Sequence, residues 1–168
     1  MVCSSMKYGF DFTAANKYRS INLDLKQARF VLIDYAIAHP VPFSIEQAKC
    51  LVTKAMGAKH SNIVDELIAN NLISLNNDGV IAYLYPVSCV ETVHRVKLAD
   101  GREFCAMCAL DTLGCAATFG MPVEIHSVTK DTQESVHAQI TPNGINTINP
   151  PDLLVSYYDS WAEGCINY

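Results

Sequence analysis

Charge is sparse in this sequence: Asp, Glu, Lys and Arg make up 17% of its 168 residues, against roughly a quarter in a typical globular domain. The twelve Lys and Arg do not cluster and are outnumbered by seventeen Asp and Glu, giving a formal charge of −5. Such a chain repels phosphate backbones and anionic lipid, so nucleic acid and membrane are not expected as partners. Long apolar runs are also missing. The longest stretches, 28–38 and 106–123, are interrupted by Arg29, Asp34 and Asp111, and neither supplies the roughly 20 apolar residues of a membrane span. Residues 1–15 carry Lys7 and Asp11 without a continuous apolar run, so no secretion signal is expected and the location expected by default is cytoplasmic. No segment combines high charge with few apolar residues, which excludes extensive disorder. No His-x-x-x-His pair is present, and with it goes the helical zinc-protease motif.

Half of the residues are apolar, enough for one sizeable core, and their spacing divides the chain. Residues 1–22 hold isolated aromatics without periodicity and are expected to form an N-terminal arm packed on the core. Leu25, Ala28, Phe30, Val31, Leu32, Tyr35 and Ala36 recur at helical spacing over 24–39, ended by Pro40 and Pro42. Ser44 and Gln47 have capping-box spacing ahead of a second helix over 45–56, which Gly57 closes. Ser61 can cap a third helix bearing Ile63, Val64, Leu67 and Ile68 and closing at Asn70 and Asn71. A hairpin follows, 72–75 and 80–85 joined by Asn76-Asn77-Asp78-Gly79.

Three helices and a hairpin describe a winged-helix-like subdomain over 23–86, an arrangement that can bind DNA. The third helix would be the reader, yet it carries Asp65 and Glu66 with only Lys59 and His60 before it, so a packing role is favoured. Beyond Pro86 the pattern is strand-like over 91–98 and 102–106 around the Ala99-Asp100-Gly101 turn. A short central helix comes next, then strands expected at 122–129, 134–140, 145–148 and 153–158. The fold class expected is α+β, with the winged-helix-like unit followed by a mixed or antiparallel sheet core over 87–168.

Seven cysteines, at 3, 50, 89, 105, 108, 115 and 165, are an odd number and too few for a disulfide-stapled secreted domain. Cys105, Cys108 and Cys115 lie with Asp111 inside eleven otherwise apolar residues. If Cys108 starts the central helix, Asp111 shares its face three residues on. A helix start favours the thiolate, while apolar surroundings raise the pKa of the carboxyl toward a proton-carrying role. Cys3, Cys50, Cys89 and Cys115 are expected to be buried apolar fillers. His94, His126 and His137 alternate with apolar residues and read as surface or edge positions, and Trp161 reads as core packing or a pocket wall.

Here the sequence resembles the organomercurial (alkylmercury) lyases, which carry Cys-Ala-Leu-Asp directly after a hairpin, then an apolar helix, then a distant second essential cysteine. Residues 104–113, Phe-Cys-Ala-Met-Cys-Ala-Leu-Asp-Thr-Leu, match that motif and its flanks. Gly120 to Val128, Ile140-Thr141-Pro142, Asn149-Pro150 and Val155-Ser156 continue the likeness and place Cys165 on the second cysteine. The resemblance covers most of 24–168. It implies protonolysis of a carbon–mercury bond, with Cys108 and Cys165 as catalytic thiolates and mercury ligands. Asp111 would stand beside the metal as proton carrier. Mercury is soft and prefers thiolate to oxygen or nitrogen donors, so two sulfurs push electron density toward the carbon. No organic cofactor or resident metal is implied. Low-molecular-weight thiols would release the Hg(II) product, and a mercuric reductase is a candidate acceptor.

Family members continue for several tens of residues past the second cysteine, so a core truncated on its C-terminal side is expected. Thr129 stands where some members have a structural cysteine. Cys105 adds a sulfur at Cys-x-x-Cys spacing and is an additional candidate ligand. It leaves open a protein that binds soft ions such as Hg, Cu or Zn without cleaving them. A four-sulfur site of Cys105, Cys108, Cys115 and Cys165 lacks a second Cys-x-x-Cys, and a thioredoxin-like disulfide lacks its βαβ context. A metal-responsive winged-helix regulator is a third reading.

Overall fold

The computed structural model describes residues 21–60 and 62–155; the arm residues 1–20, Ser61, Trp161 and Cys165 lie outside them. Helix α1 (Leu23–Ala38) starts where the Asn22 side chain accepts from the Leu25 N–H at 2.8 Å. It buries Leu25, Ala28, Arg29, Leu32, Ile33 and Ala36, a stripe at intervals of three and four residues that faces the core. Helix α2 (Ile45–Met56) is capped by Ser44, whose hydroxyl accepts from the Gln47 N–H at 3.1 Å. The Gln47 side chain does not reach back as a capping box requires, because it donates to the Tyr35 hydroxyl on α1. Gly57, at φ 94°, ends α2 where a side chain would be strained. Helix α3 (Ile63–Ala69) has Asn62 at its N-cap with no side-chain bond. Leu72 and Ile73, expected in a strand, are buried beyond its end, and the Leu72 N–H donates to the Leu67 carbonyl.

Among the described residues, eight strands form one sheet in the order β1-β2-β3-β5-β4-β6-β7-β8. They are β1 (Ser74–Leu75), β2 (Ile81–Leu84), β3 (Val87–Ser88), β4 (Arg95–Leu98), β5 (Glu103–Ala106), β6 (Val123–Val128), β7 (Ser135–Thr141) and β8 (Gly144–Asn149). Every pairing is antiparallel, which narrows the expected mixed or antiparallel sheet. In the first hairpin the Asn76 side-chain oxygen accepts from the N–H groups of Asp78 and Val80, and Gly79 takes φ 74°.

Two strand expectations are corrected. β4 begins at Arg95 rather than at Glu91, because the Thr92 hydroxyl donates to the Ala106 carbonyl at 2.6 Å and replaces a backbone ladder bond. No strand covers 153–155: the Leu153 N–H turns back to the Pro150 carbonyl, and Leu154 is 91% exposed. Residues 156–158 of that expected strand lie outside the described residues.

One face of the sheet carries Val96, Leu98, Phe104, Ala106, Val123, Ile125, Val136, Ala138 and Ile140, all buried, as the two-residue pleat period requires. Helix α4 (Ala109–Phe119) lies across this face against β4 to β7, while α1 packs on α2, α3, β2 and β3. Phe119 joins the two halves. Its ring lies 5.4 Å from Phe104 and 6.3 Å from Phe30 of α1, and the Arg102 guanidinium sits 5.6 Å from its centre. No helix among the described residues is long and apolar enough to cross a membrane.

Candidate functional site

The last residue of β5 is held from two sides. The Ala106 N–H donates to the His94 carbonyl at 2.8 Å and its carbonyl accepts from Thr92. Two residues later the chain turns into α4, with Cys108 at the N-cap in extended conformation, φ −148° and ψ 173°, the backbone expected of a cap. Asp111 is then the third residue of the helix. From there its carboxyl lies beside Cys108, whose backbone N–H and thiol favour the charged carboxylate. The thiol and carboxyl anticipated from the sequence are therefore neighbours.

Burial dominates their electrostatics. Asp111 is 7% exposed, and one carboxyl oxygen, Oδ2, has no hydrogen-bond partner among the described residues. Burial pushes its pKa up from 3.8 to about 6, against the restraining hydrogen bonds from Cys108. The half-buried Cys108 thiol is pushed up to about 11, by burial first and the neighbouring Asp111 charge second, while the N–H groups of Asp111 and Leu110 favour the thiolate. A carboxylic acid poised near neutrality thus touches a thiol that keeps its proton until something better displaces it.

The other cysteines divide. Cys115 is fully buried on α4 and donates to the Asp111 carbonyl at 3.2 Å; burial and then the Asp111 charge push its thiol upward. Cys89 is buried, its thiol pushed up to about 12 by burial. These two are fillers as expected. Cys50 is exposed on α2, contrary to expectation, because it falls off the Ala48–Val52 stripe. Cys105 alternates with the core-facing Phe104 and Ala106 and lies on the opposite side of the sheet, its thiol 3.8 Å from the Thr92 carbonyl. That places it away from the face α4 covers. No group of three or more His, Cys, Asp or Glu among the described residues is arranged to hold a metal ion. His126 and His137 are exposed partners across β6 and β7; His94 is half-buried, 3.0 Å from the Ser127 hydroxyl, and burial lowers its pKa.

One further residue meets this helix directly, and a second holds that residue. The Tyr85 hydroxyl presses on Gly114, one turn after Asp111, where a methyl group would overlap it. Arg29, only 4% exposed, donates to the Tyr85 carbonyl and lies 5.6 Å from the centre of the Tyr85 ring. In the sequence Arg29 is visible only as an interruption of an apolar run. A cation on the core-facing stripe was the available signal.

Residues 87–167 match the family model of the alkylmercury lyases (MerB). A curated alkylmercury lyase of Staphylococcus epidermidis is 36% identical over 72 residues, 43% of this chain and 33% of the relative. The crystal structure of the mercury-bound form of MerB2 superimposes with a TM-score of 0.51 at 18% identity, covering 77% of this chain and 69% of the other. Residues 87–167, just under half of the chain, are thus similar to the MerB-like alkylmercury lyases. The aligned region spans about a third of that curated relative's length. The structural match extends the likeness in fold, an α+β architecture, over most of the chain.

Proposed function

We propose that the protein is an organomercurial lyase that cleaves carbon–mercury bonds by protonolysis, with Cys108 and Cys165 as thiolate ligands and Asp111 as proton carrier. The observation carrying this is a buried carboxyl with an unpartnered oxygen against the thiol at the head of α4. For a substrate R–Hg–X, the Cys108 sulfur displaces X⁻ and its proton passes to the Asp111 carboxylate. The Cys165 sulfur joins the mercury and its proton leaves with X⁻ as HX. The electron pair of the carbon–mercury bond stays on carbon, which takes the proton held by Asp111. The products are RH, HX and Hg(II) held by two thiolates, and mercury keeps its oxidation state throughout.

Mercury's softness supplies the driving force that a thiol pKa of about 11 otherwise withholds, since metal coordination deprotonates thiols outright. An acid with pKa about 6 accepts that proton readily and remains acidic enough to return it to carbon. The scheme uses no organic cofactor or resident metal. Low-molecular-weight thiols exchange the product off the protein, which suits a reducing cytoplasm, and a mercuric reductase is the acceptor this product chemistry suits.

Residues 23–86 we read as a winged-helix-like subdomain that serves as packing, with 87–168 as the catalytic core. Its third helix presents Asp65, paired at 2.8 Å with Lys49, and Glu66, a poor surface for phosphates. The alternative of a soft-metal store rests on Cys105, whose thiol lies on the other side of the sheet from α4. Incubation with phenylmercury and excess low-molecular-weight thiol is expected to release benzene, detected by gas chromatography. The lyase reading fails if wild type yields no more benzene than Cys108→Ser.

A further inference from the structure

Helix α4 carries glycine at its centre, where Ala would ordinarily favour the helix. Gly114 has no unusual φ to require it; what requires it is the Tyr85 hydroxyl, which occupies the space a Cβ would take. Tyr85 lies between β2 and β3, far from α4 in sequence, and is itself held. The Arg29 guanidinium lies 5.6 Å from the centre of its ring and 5.8 Å from that of Phe30, and donates to the Tyr85 carbonyl. A buried cation with aromatic and carbonyl neighbours is an ordered, stiff element. The strut thus runs from α1 through the Tyr85 ring to the face of α4 that bears Asp111, three residues before Gly114.

We propose that Tyr85 is a positioning residue, its hydroxyl serving as a stop against Gly114 that sets how deeply the head of α4, with Cys108 and Asp111, is seated in the protein, and Arg29 holding the stop in place. The functional importance of that seating rests on the proposed lyase chemistry; the contact itself does not. Depth matters because burial is the first cause of the upward shifts at both groups. The strut also gives the N-terminal helices a mechanical task at the site, beyond covering the sheet.

The test is a size swap read on thiols. Gly114→Ala drives a methyl into the hydroxyl and should lift the helix head, whereas Tyr85→Phe removes the hydroxyl and leaves the ring carbon Cζ as the nearest atom at 3.1 Å, a contact that a small shift accommodates. In full-length protein, iodoacetamide labelling is followed at Cys108 by peptide mass spectrometry, with the buried Cys89 as internal reference. Gly114→Ala is expected to accelerate Cys108 labelling relative to Cys89 by about tenfold, as local opening exposes the thiol. The double variant Gly114→Ala/Tyr85→Phe should return it to within about twofold of wild type, because the coupling is carried by one contact. An unchanged ratio in Gly114→Ala, equal acceleration at both cysteines, or no rescue in the double variant each overturns the proposal. Should Gly114→Ala not fold, Tyr85→Leu replaces it, and a wild-type labelling ratio there overturns the strut. No mercury chemistry enters this readout, so a failed strut and a failed lyase assignment give different results. Where benzene release is measurable, kcat should follow the same pattern of loss and rescue with KM little changed.

Discussion

Helix α4 finishes among rings and starts among polar groups. At its C-terminal end Phe119 packs on Phe30 and Phe104 under the Arg102 guanidinium, apolar surface meeting apolar surface. At its N-terminal end Cys108 and Asp111 are buried together, with one carboxyl oxygen unpartnered among the described residues. Only the first arrangement stabilises the fold. A buried carboxyl with one oxygen unpartnered costs free energy, and the cohesion of the aromatic end offsets it. On the proposed chemistry one helix serves as anchor and as reactive head, and the two roles should separate under mutation.

The largest separation is expected in catalysis. Asp111→Asn should lower benzene release from phenylmercury by about 10²–10⁴-fold, the usual worth of a positioned general acid, while the protein stays folded. Phe119→Ala is expected to do the reverse, destabilising by about 2–3 kcal/mol in urea unfolding for a partly buried ring while the folded fraction keeps its turnover. A stability loss in Asp111→Asn as large as that in Phe119→Ala would break the contrast.

The smallest effect is on pH dependence. The folded pKa of Asp111, about 6, lies above its ordinary 3.8, so between those values the native state binds more protons than the unfolded state. Stability must then fall as pH rises from about 4 to about 6 and level off above. The contribution is on the order of 2 kcal/mol. Urea midpoints at pH 4.5 and pH 7.5 should show this slope in wild type, and Asp111→Asn should remove its Asp111 component. An undiminished slope in the variant would place the titrating group elsewhere.

The features of this helix that the sequence announces are local. Cys108 and Asp111 lie three residues apart, a spacing that brings them together on any helix starting there, so their contact follows from the motif alone. The hairpin at 76–79 is equally local, set by Asn76 and Gly79. Strand order is another matter: β3 pairs with β5 and β4 with β6, choices made by packing against α4 and α1. Arg29 reaches Tyr85 across 56 positions, and no periodicity announces such a partner. β4 starts later than the alternation of residues predicts because a threonine hydroxyl replaces a backbone bond, and Cys50 is exposed, although cysteine is usually buried, because helix phase turns it outward.

The sheet has one further consequence. β2, at the end of the helical half, pairs directly with β3, at the start of the half that carries the motif, and Phe43 between α1 and α2 bridges to Ile81. A boundary drawn at Pro86 therefore runs through a hydrogen-bonded ladder. Neither half can be lifted out and grafted elsewhere as an independent cassette without leaving a raw strand edge, a template for unwanted association. The two halves are thus joined through one continuous ladder, so a change that shifts β2 is passed directly to β3 and the strand beside it.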